Sequence, residues 1–179
     1  MKKKENQRIT LTKQLLKNSL MELLETETIH KISIKTLCEQ AGINRSTFYK
    51  YYGSQYDLLK EIEQDTVQNI IAILENKADK KADALCEICN YLDKNALYVR
   101  PLINNSNESE FIHMILSHPT IQREVQKNTE TVYDSIHLNY IFDFITFGCA
   151  RIVQVWINKK ERESGEEIAT LLSTLMKLS

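Results

Sequence analysis

Glycine and proline are scarce in this sequence, whose 179 residues include 4 glycines and 2 prolines. Soluble proteins average about 7% glycine and about 5% proline. Because these residues mark turns, their scarcity argues against many short strands and favours long helices. Apolar residues make up 42% of the chain, which is enough for a buried core. We therefore expect an all-α fold.

Long apolar runs are also lacking. A membrane-spanning helix needs roughly 18 to 20 consecutive apolar residues. The most apolar segment, residues 138–157, is interrupted by Asn139, Asp143, Arg151 and Gln154. The N-terminal sequence MKKKENQRIT lacks the apolar centre of a secretory signal. We expect a soluble cytoplasmic protein with no membrane partner.

Patterns for metal binding and catalysis are missing as well. Cys86 and Cys89 have C-x-x-C spacing, but no second pair or nearby histidine completes a four-ligand zinc site, so core packing is the favoured interpretation. The sequence contains no nucleophile elbow, phosphate-binding loop or paired acid and base cluster. We expect no metal, no cofactor and no enzymatic activity.

Charge is divided unevenly along the chain. Residues 1–59 carry a net charge of +4, whereas residues 60–179 carry −5. A basic N-terminal part and an acidic C-terminal part indicate that any polyanion binding is confined to the N-terminal part. A solvated basic face is the alternative interpretation.

Capping residues divide the N-terminal part into short helices. A first helix is expected over residues 9–26. Ser33 can cap a second helix that Gly42 ends in the left-handed conformation, and Asn44 can cap a third, to Tyr52, followed by Gly53 in the same role. Two short helices around a glycine turn form the helix-turn-helix arrangement.

The third helix has one apolar side. Phe48 and Tyr52 lie four residues apart and can anchor it to a core that includes Leu20, Leu24 and Leu37. The remaining side chains face elsewhere: Arg45, Ser46, Thr47, Tyr49, Lys50 and Tyr51.

The sequence also predicts helices in the rest of the chain. Ser54 with Asp57, and Ser164 with Glu167, have capping-box spacing and each opens a helix. Further helices are expected at residues 82–98, 108–117, 120–134 and 138–157. A break is expected at Pro101.

The segment Ile32 to Leu59 resembles the signature of the TetR family, through its Ala41-Gly42-Ile43 turn and its Thr47-Phe48-Tyr49 core. The resemblance implies that the third helix enters the major groove of DNA and that a larger helical domain dimerises and binds an effector. We expect a DNA-binding domain over residues 1–55 and an effector-binding and dimerisation domain over residues 56–179.

The resemblance also assigns roles to single residues. Lys35 and Arg45 are expected to contact bases, because both can donate hydrogen bonds to guanine O6 and N7, and Ser46 is a weaker candidate. Lys50 is expected to add a charged contact to the DNA backbone.

Phosphate contacts are assigned in the same way. Thr47, Tyr49 and Tyr51 occupy positions similar to the phosphate-contacting residues of the family, where hydroxyl groups fix the register. Gln55 departs from the pattern, because the family usually has a lysine there, and a glutamine brings no charge to the phosphate.

The C-terminal part is similar to that of the dihydroxyacetone-kinase activator group, which implies control by a protein partner or an unidentified ligand. Candidate pocket residues are Tyr91, Tyr98, Arg100, Phe111, Phe144 and Trp156. Core packing is the alternative for these aromatic residues.

Together these patterns predict a homodimeric transcriptional repressor that binds an inverted-repeat operator in double-stranded DNA. Residues 138–157 and 164–178 are expected to form the dimer interface, with Gly148 at a close helix crossing. A small molecule or a protein co-regulator would control it. The alternative is a protein-interaction module or co-activator subunit with weak DNA binding, which the glutamine at position 55 supports. A helical enzyme is a third alternative, without a polar cluster to support it.

Overall fold

The structure is a computed structural model that describes residues 2–76, 81–105, 111, 114–115, 117–120, 122–123 and 137–178. Within these ranges the chain is helical and has no strand, which confirms the all-α expectation. The helices with described bounds are α1 (Lys2–Leu24), α2 (Ile34–Ala41), α3 (Arg45–Phe48), α4 (Gln55–Asn76), α5 (Lys81–Lys94), α6 (Ala96–Asn105), α7 (Leu138–Ile157) and α8 (Gly165–Leu178). The helices expected at residues 108–117 and 120–134 lie mostly outside the described residues.

The chain forms two compact units, Met1–Asp65 and Thr66–Ser179. The division falls inside α4, whereas the sequence placed a domain boundary at residue 55. The first part of α4 belongs to the N-terminal unit because Glu61 and Asp65 form ion pairs with Lys17 of α1.

The core of the N-terminal unit lies where α1 packs against α2 and where α2 meets α3. Leu20, Leu24, Leu37, Phe48 and Tyr52 are all buried, as their spacing predicted. Burial of a large apolar side chain stabilises a fold by about 1.5–3 kcal/mol, so these few residues hold the short helices in place.

Both caps of α2 are as predicted. The Oγ atom of Ser33 accepts a hydrogen bond of 3.0 Å from the Thr36 amide. At the other end Gly42 has a φ of 65°, and the Ile43 amide donates to the Cys38 carbonyl over 2.9 Å. A left-handed residue followed by this bond ends the helix and starts the turn towards α3.

The third helix is shorter than expected. It ends at Phe48, and turns continue the helical path to Tyr52, whose amide donates to the Phe48 carbonyl. Asn44 has the extended backbone of an N-cap, but its side chain makes no capping bond. Gly53 does not have the expected left-handed conformation. The turns have already ended α3, so no left-handed residue is required there.

Pro101 does not break a helix, contrary to the prediction. The break lies at Asn95, whose side-chain amide donates to the Tyr91 carbonyl over 2.8 Å and whose own carbonyl accepts from the Tyr98 and Val99 amides. Pro101 lies inside α6 and is almost fully buried. Its missing amide costs one helical hydrogen bond, which the burial of its ring offsets.

The C-terminal unit is built on α5 and α8, which pack along each other, with α6 and α7 beside them. The predicted capping box at the start of α8 is complete. Glu167 Oε2 accepts from the Ser164 amide over 2.8 Å, and Ser164 Oγ accepts from the Glu167 amide over 3.3 Å. Reciprocal caps of this kind fix the residue at which a helix begins.

Candidate DNA interface and effector cavity

The third helix has one buried and one exposed side. Phe48 is fully buried, and its ring packs edge-on against Tyr49 and at an angle against Tyr52. Arg45, Ser46 and Lys50 are exposed. The aromatic residues therefore fix the helix, and the polar residues are available to a partner.

The candidate phosphate-contacting residues are less uniform. Tyr49 is 58% exposed, whereas Thr47 and Tyr51 are half-buried, as is Gln55 at the first position of α4. Tyr49 is therefore the tyrosine best placed to offer a hydroxyl group at the surface.

Lys35 and Arg45, the two expected base-reading residues, lie on the rim of one shallow depression between α2 and α3. Lys35 Nζ lies 3.9 Å from Glu39 Oε1, and both side chains are about two-thirds exposed. An exposed ion pair of this length contributes at most about 1 kcal/mol, so Lys35 can exchange it for another acceptor.

An ionic cluster that sequence reasoning missed joins α1 to α4. Glu61 lies at its centre, with Oε2 2.9 Å from Lys13 Nζ and Oε1 2.8 Å from Lys17 Nζ. Lys17 also pairs with Asp65, and the Tyr52 hydroxyl donates to Glu61 over 3.2 Å. The cluster fixes α4 to α1, and through Tyr52 it contacts the buried aromatic side of α3. Only the regular spacing of like charges on each helix could have indicated it.

The pKa values of the cluster follow from these contacts. Burial would raise the pKa of Glu61, but hydrogen bonds from Lys17 and Lys13 outweigh it and lower the pKa. Burial would lower the pKa of Lys17, and hydrogen bonds to Asp65 and Glu61 reverse this and raise it. Each charge therefore stabilises the charged form of its partner.

Among the cavities lined by described residues, the six candidate pocket residues occupy different places. Trp156 is buried, and its indole donates to the Glu163 carbonyl over 2.8 Å. Arg100 Nε donates to the Ile157 carbonyl. Tyr91 lines an open groove and accepts a hydrogen bond from Asn69. The other positions are Tyr98, which is half-buried, and Phe144, which is 75% exposed.

Phe111 is the remaining candidate, and it lines an apolar cavity of about 210 Å³ inside the C-terminal unit. The other lining residues that the structure describes are mostly aliphatic, and all except Ile115 lie on α4 to α8. Phe111 is the one candidate among the described lining residues of this cavity, and aliphatic side chains form most of its wall.

A separate apolar surface lies on α7, where Tyr140, Phe144, Phe147 and Val155 are between 47% and 75% exposed. By length and composition alone, Tyr140–Ile157 could cross a membrane, which for a single helix is weak evidence. Only 22% of that segment is buried within the chain. An exposed apolar surface of this kind marks a site of interaction.

Comparisons with known proteins agree with this geometry. Residues 19–62 match the family described as bacterial regulatory proteins, tetR family, and residues 79–178 match a transcriptional regulator C-terminal region. Regulators of this family bind DNA, usually dimerise and are generally not enzymes.

One curated relative is the HTH-type dhaKLM operon transcriptional activator DhaS of Lactococcus lactis subsp. lactis. It is 23% identical over 107 residues, which are 59% of this chain. The match spans 56% of the length of that relative.

Two solved structures share the fold. The TetR transcriptional regulator from Streptococcus agalactiae has a TM-score of 0.75 and 18% identity, and covers 98% of this chain and 99% of its own. The dihydroxyacetone kinase operon activator DhaS has a TM-score of 0.60 and 19% identity, over 92% and 93%. The helix-turn-helix, the helical C-terminal unit and the two matched regions show that the chain belongs to the TetR family.

Proposed function

We propose that this chain is a homodimeric, sequence-specific DNA-binding regulator of transcription in the cytoplasm. Each protomer would insert α3 into the major groove of one half of an inverted-repeat operator. A ligand or a protein partner at the C-terminal unit would change its affinity for DNA.

The observation that carries the proposal is the division of α3 between a buried aromatic side and an exposed polar side. Arg45 lies at the first position of the helix, where recognition helices reach base edges. Its guanidinium can donate two hydrogen bonds to one guanine. Tyr49, one turn later, has an exposed hydroxyl group that suits a phosphate oxygen.

Charge supports the same assignment. The net charge of +4 on residues 1–59 attracts a polyanion to the unit that contains α3, whereas residues 60–179 carry −5 and repel it. Binding that uses this charge becomes weaker as salt rises, because each neutralised phosphate releases counterions.

The occupant proposed for the apolar face of α7 and α8 is a second copy of this chain. Leu171 and Leu175 of α8 are 45% and 40% exposed, which extends the face formed by Phe144 and Phe147. Two such helix pairs related by a two-fold axis would form a four-helix bundle. Gly148 is exposed on α7 and has open space where a side chain would begin, so a partner helix can approach closely.

Regulation would use α4, which is a single helix with residues in both compact units. A change in the C-terminal unit that tilts α4 would move α3 and alter the separation of the two recognition helices. We retain the prediction that the protein represses transcription. The curated relative is named an activator. The transcription measurement below therefore distinguishes repression from activation.

The test is binding of the purified full chain to a duplex from the region upstream of its own gene. We expect salt-dependent binding that Arg45→Ala weakens about fivefold or more for each half-site, because a bidentate base contact contributes about 1–3 kcal/mol. Arg123→Ala is the matched control, since Arg123 is an exposed arginine of the C-terminal unit. Transcription from the same duplex should fall when the protein is added. If the duplex is bound no better than unrelated DNA, and both variants behave alike, the protein-interaction alternative replaces the proposal.

A further inference from the structure

The cavity of about 210 Å³ in the C-terminal unit has residues of five helices in its wall. Ile70 comes from α4, Leu92 from α5, Ile103 from α6, Ile145 from α7 and Leu172 from α8. All five side chains are hydrocarbon. A molecule bound in such a cavity contacts five helices at once, and because protein interiors are close-packed, its binding can shift several of them together.

The volume limits the size of an occupant. A cavity of about 150 Å³ lined by apolar side chains stays dry and binds benzene, whereas pockets for drug-sized ligands begin near about 300 Å³. The present cavity lies between these values. An occupant that fits entirely within the cavity is therefore only slightly larger than benzene.

The chemistry of the wall limits the polarity of the occupant. Among the described residues, no charged side chain lines the cavity, so a buried ionic group would find no partner among them and would be costly. The Thr146 hydroxyl already donates to the Phe142 carbonyl over 2.7 Å, so towards an occupant it acts as an acceptor. Burial raises the pKa of the Cys149 thiol, so this second polar group of the wall stays neutral.

The cavity also shares part of its wall with the surface proposed to dimerise. Ile145, Cys149 and Met176 line both the cavity and a groove on α7 and α8 that is bounded by Phe144 and Gly148. An occupant of the cavity therefore contacts the side chains that form the floor of the groove. This gives a direct physical path from ligand binding to dimerisation.

We infer that the cavity binds a compact, uncharged, hydrocarbon-rich molecule that carries at most one hydroxyl group, and that its occupancy alters the dimer face through Ile145, Cys149 and Met176. The regulatory consequence rests on the proposed function. Binding itself does not, because it requires only the C-terminal unit.

The experiment uses toluene and benzoate as probes of the full chain, since both have one aromatic ring and only benzoate is charged. Saturating toluene should raise the melting temperature by about 2 °C or more, and benzoate should leave it unchanged. Intermolecular nuclear Overhauser effects should connect toluene to the methyl groups of Thr146 and Met176. A benzoate shift as large as that of toluene, or effects confined to surface residues, would overturn the inference.

A pair of variants locates the site. Ala150→Leu enlarges a side chain in the cavity wall and so reduces the space in the cavity. Ala72→Leu makes the same change at an exposed position of α4. The toluene shift should disappear in the first variant and persist in the second. Persistence in both would contradict the inference. If Ala150→Leu does not fold, Ala150→Val makes the same comparison with a smaller addition.

Transmission is measured by sedimentation of the wild-type chain with and without toluene. We expect the dimer dissociation constant to change about fivefold or more, as coupled sites usually do. An unchanged constant with bound toluene would refute the link to the dimer face. Failure of DNA binding without any ligand would refute the proposed function alone.

Discussion

Gly165, the first residue of α8, lies so close to α5 that a Cβ atom there would be 2.5 Å from Asn90 Oδ1 and 2.8 Å from the Asn90 amide nitrogen. The second atom belongs to the backbone and cannot rotate away. The pairing of α5 with α8 therefore requires a residue without a side chain at position 165.

Gly165→Ala should destabilise the protein by about 1–3 kcal/mol, because an added methyl group forces two packed helices apart. Chemical denaturation of the purified variant measures the change in the free energy of unfolding. Gly148→Ala, measured at a protein concentration low enough to keep the chain monomeric, is the control, since a Cβ there meets nothing of its own chain within 4 Å. It should be neutral or stabilising by up to about 1 kcal/mol, as for glycine in a helix interior. Equal effects at the two positions would contradict the packing argument.

The ionic cluster around Glu61 predicts a loss of stability in acid. The pKa of Glu61 in the folded protein lies below the ordinary value of 4.5. Its contribution to stability is therefore complete above about pH 4.5 and is lost as the pH falls through the folded pKa. Because the pKa of Lys17 is raised above 10.5, its contribution is complete below that pH and is lost as the pH rises through the folded pKa.

Glu61→Gln should remove part of the loss in unfolding free energy that occurs as the pH falls below about 4.5. Glu27→Gln, in an exposed turn of the same unit, should retain it. An identical acid profile in the wild type and both variants would show that the cluster contributes nothing measurable.

The signals that the sequence carried correctly are local ones. Ser33 and Gly42 define α2, and the apolar periodicity of residues 138–157 predicted the bounds of α7, because caps and helical spacing depend on neighbouring residues only. The capping box of Ser164 with Glu167 predicted the start of α8 in the same way.

The features that the sequence did not reveal depend on distant contacts. Pro101 can lie inside α6 because its ring is buried in the C-terminal unit, and a helix-breaking rule does not include that energy. The pairs Lys17 with Glu61 and Gly165 with Asn90 join residues far apart in the chain. Aromatic type alone did not predict the buried position of Trp156, whose indole donates to the Glu163 carbonyl.

Phe144→Ala should weaken dimerisation about tenfold or more, since it removes a large exposed side chain from the proposed interface. Leu97→Ala is matched to it, because Leu97 on α6 is 71% exposed and Phe144 is 75% exposed. Sedimentation velocity at micromolar concentration measures the dissociation constant of each variant. A monomeric wild-type protein at that concentration, or equal weakening by both substitutions, would contradict the interface.

Tyr49→Phe should weaken binding to operator and to unrelated DNA alike, because its hydroxyl group is expected to hold phosphate. A single hydrogen bond contributes about 0.5–1.5 kcal/mol, so the loss should be about two- to tenfold for each half-site. Tyr91→Phe, in the C-terminal unit, should bind both duplexes as the wild type does. Loss of operator binding alone would instead identify Tyr49 as a base-reading residue.

The central claim, that α3 reads DNA sequence, is tested most directly by selection of bound duplexes from a random pool with the wild-type protein and with Arg45→Ala. A two-fold symmetric dimer should select an inverted repeat whose half-sites lie about one helical turn or more apart on one face of the duplex. Arg45→Ala should select the same repeat with the preference relaxed at one base pair in each half-site. Recovery of no inverted repeat by the wild type, or unchanged preference at every position in Arg45→Ala, would contradict the account.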